Sequence, residues 1–549
     1  MALPAWAGRL VDLYESGAYN QFLIFGNIQD RLTIPGAPAR ISSFAEFLMA
    51  VLLPRFDVVL SYDLGNGIRV EKGGEIFSSW PALKERPLAK QPLAAVESLT
   101  QYFRYCGNLA RLQRQTVQVA CLVKNAELIA PAGGAASDHE LGAVLTLIRD
   151  WSMDNLLTGH PLATFLLSEN LSDIHPLLAR NPRAQRISVP LPSAEEMTTA
   201  LEAMAPHYPF VLDGNASRKS ELAGALVGST IVAAESCIKE LEHARKAPTS
   251  ADLAEVKKQI IQAESQGLVD FMQSSMTLDA VQGHDAVKAW LRQDIALWKS
   301  GDVNALPKGY LLSGPVGTGK SFLVQCLAGE ASVPVVKLKN FRDRWVGSTE
   351  SNLERIFRLL RALGRCYVFI DEADQMLGKR ESGGDSGVSG RVYSMIAEEM
   401  SDPANRGKIL WVLASSRPDL IEVDLKRPGR VDVKIPLFPT CSAQESFDLL
   451  RFLAAQRGLQ LHDSDFSVVE KLLPDWLTPG AAEALAVKAY RAHRIGQESA
   501  VAALLACLEG YRPPVSRDIL EFQMRIAIAE ASDPSFVPPS FRMLGGGTQ

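Results

Sequence analysis

The run Gly314-Pro-Val-Gly-Thr-Gly-Lys320-Ser321 has the spacing G-x-x-x-x-G-K-[ST]. Glycines at those positions let backbone N–H groups close around phosphate oxygens at the start of a helix, where the dipole favours negative charge. Lys320 is placed to reach β- and γ-phosphates, and the Ser321 hydroxyl to ligate Mg²⁺. Gly314, Pro315, Val316, Gly317, Thr318, Gly319, Lys320 and Ser321 are therefore all expected to hold ATP. Fifty-seven residues after Gly314, Cys366-Tyr-Val-Phe-Ile-Asp371-Glu372 sets two carboxylates at the end of an apolar run. Two adjacent acids at a helix start often serve only the helix dipole. Downstream of a phosphate loop they gain a chemistry: Asp371 in the magnesium shell with Ser321, and Glu372 orienting and polarising the attacking water. Arg427 and Arg430, in Leu425-Lys-Arg-Pro-Gly-Arg-Val-Asp432, lie too far along the chain to belong to the loop, and suit charge stabilisation at a γ-phosphate supplied in trans.

These residues need a strand, a loop and a helix behind them. Gly309-Tyr-Leu-Leu-Ser-Gly314 reads as the strand and Ser321-Phe-Leu-Val-Gln-Cys-Leu-Ala as the helix. Val335-Val-Lys-Leu, Cys366–Ile370 and Ile409–Ala414 are further apolar runs separated by amphipathic stretches, the alternation of a parallel sheet with helices on both faces. The glycine- and serine-rich stretch 378–390 reads as a surface loop. Helical patterning after Pro439 predicts a small lid running to about residue 530, then a proline-rich tail.

With 549 residues, two to four domains are expected. At 47% hydrophobic and 22% charged, the composition is that of a folded water-facing protein and argues against large-scale disorder. A net charge of −5 gives no global attraction for nucleic acid or anionic lipid. The seven cysteines form no C-x-x-C pair, which disfavours a zinc site or a disulfide framework and suits a reducing cytoplasm. His139-Glu140 lacks the second histidine of H-E-x-x-H, so a metalloprotease site is not expected and both residues read as a solvated helix start. Asp12 and Glu15 fall where a signal peptide would be apolar, and no apolar run reaches 18 residues, so no membrane partner is expected.

The chain also repeats. Lys124-Asn-Ala-Glu127 precedes Asp371-Glu-Ala-Asp374 by 247 residues, and both follow an apolar run. At the same offset Arg180 and Arg183 fall on Arg427 and Arg430, and Pro192 on Pro439. Phe22–Phe25, Phe56–Leu60, Val117–Val123 and Thr164–Leu167 supply strands for a first copy. That copy has Gly26-Asn-Ile-Gln-Asp30 with no G-K-[ST], and Lys124-Asn125 in place of the acids, so it lacks the phosphate lysine and the magnesium carboxylate. Gly26 to Lys124 is 98 residues against 57 in the second copy, which implies an insertion or remodelled segment. The expected layout is a degenerate module over 1–245, a helical linker over 246–275, an α/β core over 276–438, and a helical lid with tail over 439–549.

Together the phosphate loop, Phe369-Ile-Asp-Glu-Ala-Asp374, Arg417-Pro-Asp419 and Arg427-Pro-Gly-Arg-Val-Asp432 resemble the AAA family of ATPases over roughly 276 to 490. The resemblance implies an α/β fold of tandem P-loop NTPase (AAA) modules, each a parallel sheet with flanking helices and a small helical lid. It implies a homo-oligomeric ring, usually a hexamer, with Arg427 and Arg430 reaching the neighbour's nucleotide. It also implies that Gly480 and Ala481 of the lid line the ATP. Ser416 stands where the family usually has asparagine ahead of Arg-Pro-Asp, and its shorter side chain would hold the attacking water less well and slow turnover. Arg344-Trp345-Val346-Gly347 resembles the aromatic pore loop that grips polypeptide, with Trp345 and Val346 as the gripping pair. Softer motifs, Val256–Ile261 running into Gly267–Phe271, Gly384–Gly387 with Gly390–Val392, and Tyr62-Asp63, resemble the cyanobacterial and plastid-encoded branch.

The leading expectation is an ATP-driven remodeller of a protein client. A nucleotide-gated assembly platform, with slow turnover and partner binding through the first module, is the alternative. A nucleic-acid motor is disfavoured by charge and by the lack of a basic, aromatic-interleaved patch.

Overall fold

The computed structural model describes residues 3–545 apart from 35, 37–39, 85–87, 134–137, 213–215, 246–257, 260, 263–264, 266, 273, 340–348, 378–387 and 497–498. The chain groups into two units, Met1–Ser265 with Glu350–Leu363, and Gln266–Thr349 with Gly364–Gln549.

The first unit holds strands β1 (Gln21–Gly26), β2 (Arg31–Ile34), β3 (Arg40–Ser43), β4 (Val58–Asp63), β5 (Gly67–Lys72), β6 (Val119–Val123), β7 (Leu162–Ser168) and β8 (Ala184–Val189). Its main sheet has the order β5-β4-β6-β7-β1-β8, all parallel except the edge strand β5. The second unit holds β9 (Val269–Met272), β10 (Gly309–Ser313), β11 (Val335–Leu338), β12 (Cys366–Ile370), β13 (Ile409–Ser415) and β14 (Val433–Pro436). Read from the other edge its order is β9-β11-β12-β13-β10-β14, again parallel but for one edge strand. The two sheets thus share one plan. β6 and β12 are separated by the same 247 residues as β7 and β13. Every residue of these four strands is buried, because helices cover both faces of a parallel sheet, and that is why they read as unbroken apolar runs.

The extra length of the first unit goes into two hairpins, β2–β3 and β4–β5. The first of them separates the glycine at the end of β1 from the helix Phe44–Phe47 and its π-helical continuation Leu48–Leu52. No helix therefore opens directly behind Gly26, as one does behind Gly319.

One segment was read differently from the sequence. The stretch 246–275 was expected to be a helical linker, yet Val269–Met272 is a strand, with Val269 and Phe271 buried and Asp270 and Met272 less so. Alternate burial stabilises an edge strand against β11, a period that the helical reading of the preceding residues masked. Most of 246–266 lies outside the described residues, Leu253, Val256 and Ile260 included.

The helix Thr349–Leu363 falls, from Glu350 onward, in the first unit. Arg358 Nη1 donates to the Glu169 carbonyl at 2.5 Å, Arg355 pairs with the Glu169 carboxylate at 3.1 Å, and Glu354 Oε2 accepts from Leu171 N at 3.0 Å.

The lid comprises helices Ala443–Ala455, Phe466–Val469, Pro479–Gly496 and Ala500–Glu509 around Phe447, Leu450, Leu477, Leu485 and Leu504. The helix Arg517–Glu530 packs instead against β14 and the turn Pro418–Leu420 of the sheet layer.

Candidate active site

β10 ends at Ser313 and is followed by Gly314, whose φ is +142° and where a Cβ would stand 2.1 Å from the Leu437 carbonyl oxygen. Only glycine lets the chain leave the strand here and turn back over β14. Gly26 at the end of β1 does the same in the first unit, with φ +113° and the Val189 carbonyl at 2.3 Å.

The loop then folds on itself. Thr318 Oγ1 donates to the Pro315 carbonyl at 2.9 Å. Lys320 Nζ donates to the carbonyls of Gly314 at 2.8 Å and Pro315 at 2.9 Å. An ammonium has three N–H donors, so one remains to meet phosphate. Burial pushes the Lys320 ammonium down to about 8, against the opposing pull of Asp371 and Asp374. A ligand bearing negative charge would restore what burial removes.

Ser321 is the second residue of the helix Lys320–Ala331, and its Oγ donates to Asp371 Oδ2 at 3.1 Å. A hydroxyl beside a carboxylate at the phosphate loop is the all-oxygen donor set that a hard cation such as Mg²⁺ takes, so these residues fit the metal. The same Oδ2 accepts from Lys337 Nζ at 2.8 Å, and that ammonium also lies 5.3 Å from the Phe369 ring centre. Lys337 was not singled out from the sequence. The signal was present, a lone charge inside the apolar strand Val335-Val-Lys-Leu.

Glu372 is exposed and has φ +48°. A glutamate rarely occupies the left-handed region, so this residue carries strain at the place proposed for chemistry. The conformation turns the chain from β12 into the helix Ala373–Leu377. Asn125 at the matching place has φ +51°, in a residue type that tolerates it.

From the lid, Gly480 donates its N–H to the Gly317 carbonyl at 2.9 Å, at the N-terminal end of the 18-residue helix Pro479–Gly496. That end presents its dipole to the loop. Between loop, sheet and lid lies a cavity of about 840 Å³, large enough for a nucleotide. Val316 to Ser321, Asp371, Glu372, Ser416 and Gly480 line it, as do Val281–Asp285, Phe438–Cys441, Pro538 and Phe541. Ser415, one residue before Ser416, is buried and donates to Asp374 Oδ1 at 2.5 Å.

Other expected residues are not on this wall. Ala481 is buried in the lid. Arg427 is paired with Asp424 at 3.1 Å, its side chain 69% exposed. Arg430 binds Asp424 and, at 2.8 Å, Ser401 Oγ. Trp345 and Val346 lie outside the described residues.

The first unit carries different chemistry at the matching strand end. Lys124 Nζ stands 3.4 Å from Glu71, which also accepts from Ser61 Oγ at 2.6 Å, beside a cavity of about 390 Å³. In the loop after Gly26, buried Asp30 accepts from the backbone N–H of Ile231 at 2.9 Å and Val232 at 3.1 Å. Its own carboxylate thus occupies a helix N-terminus. Burial holds the Asp30 carboxyl above its ordinary value despite the donors around it.

Two segments of the chain match known family models. Residues 310–438 match the ATPase family associated with various cellular activities (AAA), and residues 1–190 match the AAA+ chaperone, N-terminal Rossmann-like domain. Among curated proteins, the cell division cycle protein 48 homolog of Archaeoglobus fulgidus is 26% identical over 52% of this chain and 43% of its own. The ATP-dependent zinc metalloprotease FtsH 2 of Symbiobacterium thermophilum is 34% identical over 41% of this chain and 40% of its own. The peroxisomal ATPase PEX6 of Dictyostelium discoideum is 33% identical over 32% of this chain and 15% of its own. The match spans less than half the length of each of these relatives.

Proposed function

We propose, from an AAA module at residues 310–438 behind an AAA+-chaperone-type domain at 1–190, that this chain hydrolyses ATP with Mg²⁺ and uses the cycle to remodel a polypeptide partner. The observation that carries the reading is the convergence of Lys320, Ser321, Asp371 and Glu372 on one cavity that the lid also reaches through Gly480. Loop amides and Lys320 bind and orient the phosphates. Ser321 and Asp371 would hold the metal, which would supply neutralisation of phosphate charge. Glu372 orients water in line with the γ-phosphorus. Ser416 sits on the same wall, where it would help position that water.

The placement of Arg427, exposed and off the wall of its own cavity, favours a ring of identical chains, taken as a hexamer, in which Arg427 and Arg430 serve the adjacent nucleotide. Among the described residues no helix is long and apolar enough to cross a membrane. Six of the seven cysteines are buried and no two form a C-x-x-C pair, which supports a cytoplasmic setting. The branch resemblance supports reading the first unit as a catalytically inactive copy that docks partners.

Phosphate release with Mg-ATP tests the enzyme reading; no release above background in the wild-type chain ends it. A pull-down with Glu372→Gln in ATP should retain the client. The platform reading is favoured by the first unit, where Lys124 and Asp30 replace the machinery of hydrolysis. Trp345→Ala separates the two: a remodeller loses work on its client and keeps ATP turnover, whereas a platform keeps both.

A further inference from the structure

The chain does not end at its lid. After Glu509 it returns to the sheet layer, and the helix Arg517–Glu530 is fastened there at its C-terminal end. Lys426 and Lys434 converge on Glu530, the second at 2.7 Å. Lys434 N donates to Ser532 Oγ at 2.8 Å, and Ser532 N donates to the Lys434 carbonyl at 3.0 Å. Two lysines on one carboxylate, one backbone–backbone bond and one bond to the Ser532 hydroxyl anchor the start of the described segment that follows.

Two features of this segment reach the nucleotide site, one at the phosphate loop and one at the cavity wall. Gln523, 7% exposed, accepts from the Val316 backbone N–H at 3.3 Å, across 207 residues of sequence. One turn of the phosphate loop is thereby held by a side chain from the far end of the protein. Phe541, 2% exposed, stacks on Phe438 with centroids 5.2 Å apart and planes at 23°, and with Pro538 it lines the cavity. Gly283, His284, Phe438 and Phe541 wall the same cavity without belonging to the phosphate loop or the acidic pair, so a triphosphate on the loop leaves them to meet the base.

We propose that the C-terminal segment 517–541 is part of the nucleotide site, with Gln523 as a positioning residue for the phosphate loop and Phe541 as an apolar wall for the base of a purine nucleotide. The inference rests on the ATP-binding reading above. It adds that residues beyond the lid set affinity and base recognition. Arg417, in the turn just after β13, has its guanidinium 5.1 Å from the Phe522 ring centre, so the same helix touches both the loop and the strand end that carries Ser416.

The test uses the full chain and fluorescent mant-ATP, with inorganic tripolyphosphate as a competitor that has phosphates and no base. Wild type must bind mant-ATP; if it does not, the reading of the cavity fails and this inference with it. Given binding, Gln523→Leu should weaken mant-ATP and tripolyphosphate alike, about fivefold, the worth of one hydrogen bond at the phosphate loop. Phe541→Ala should weaken mant-ATP by roughly 3–10-fold and leave competition by tripolyphosphate unchanged. Phe541→Leu, which keeps most of the apolar volume, should give the same split if the alanine variant folds poorly. Equal losses for mant-ATP and tripolyphosphate in both Phe541 variants, or wild-type affinity in Gln523→Leu, would overturn the proposal while leaving ATP binding itself intact.

Discussion

Lys337 Nζ lies 2.8 Å from Asp371 Oδ2, the oxygen that also accepts from Ser321. A fixed cation therefore sits on the carboxylate proposed for the metal shell. In the first unit the polarity is reversed, since Lys124 occupies the place of Asp371 and Ser61 that of Lys337, with Glu71 on the neighbouring strand closing the pair. Removing Lys337 should ease metal entry. Both side chains are about 30% exposed, at 32% and 29%, so the pair is partly screened and the effect modest. Lys337→Met is expected to lower the Mg²⁺ concentration needed for half-maximal mant-ATP binding by roughly 2–5-fold. A magnesium titration that does not move, or moves the other way, refutes this role.

The strain at Glu372 makes a prediction in which stability and activity part company. Glu372→Asn places in the second unit the residue type found at Asn125, which tolerates φ near +50°. It is expected to stabilise the second unit by about 1 kcal/mol, since a left-handed residue costs about 1–2 kcal/mol. Phosphate release should fall by roughly 100-fold or more, the usual contribution of a positioned base. Glu372→Gln should lose the same activity without the gain in stability. Thermal unfolding and phosphate release on both variants check the pair.

Asp30 satisfies four donors at once: Asn27 Nδ2 at 2.9 Å, Arg31 N at 2.7 Å, Ile231 N and Val232 N. Asp30→Ala would leave buried N–H groups at the start of the helix Ile231–His243 without partners. A loss of roughly 2–4 kcal/mol from the first unit is expected. Mant-ATP affinity should be unchanged, because the phosphate loop lies in the other unit. An unfolding profile like that of wild type would show that the cap contributes little.

His160 contributes to the pH dependence of the first unit. Its ring is 7% exposed, its Nε2 has no partner, and burial holds it below the ordinary 6.5. The folded form thus resists a proton that the unfolded chain accepts. Stability is at its fullest above pH 6.5 and declines as pH falls through 6.5 toward the depressed value. His160→Leu should flatten the acid limb of unfolding for the first unit. If the limb keeps its wild-type slope, another group governs it.

The places of the glycine loop between strand and helix, of the acidic pair after β12, and of the parallel strands were legible in sequence because each depends on local pattern. A buried parallel strand must be apolar throughout, as in Cys366–Ile370, and a loop that wraps phosphate must place glycine and lysine at fixed intervals. The repeat was legible for the same reason, since β6 and β12 keep one offset and one burial pattern. Strand β9 was not, because four residues of alternate burial at a sheet edge carry little signal beside a longer helical stretch.

What tertiary structure decided is everything that joins residues far apart in the chain. Nothing local to Lys337 names Asp371, and nothing near Gln523 names Val316. Those partners follow from strand order and from the return of the last helix onto the sheet, which packing selects among many chain paths that local pattern leaves equal. Sequence by itself set which residues could do chemistry on a phosphate. The fold set which charges face them, because Coulomb and hydrogen-bond energies depend on distances in space that sequence spacing does not contain.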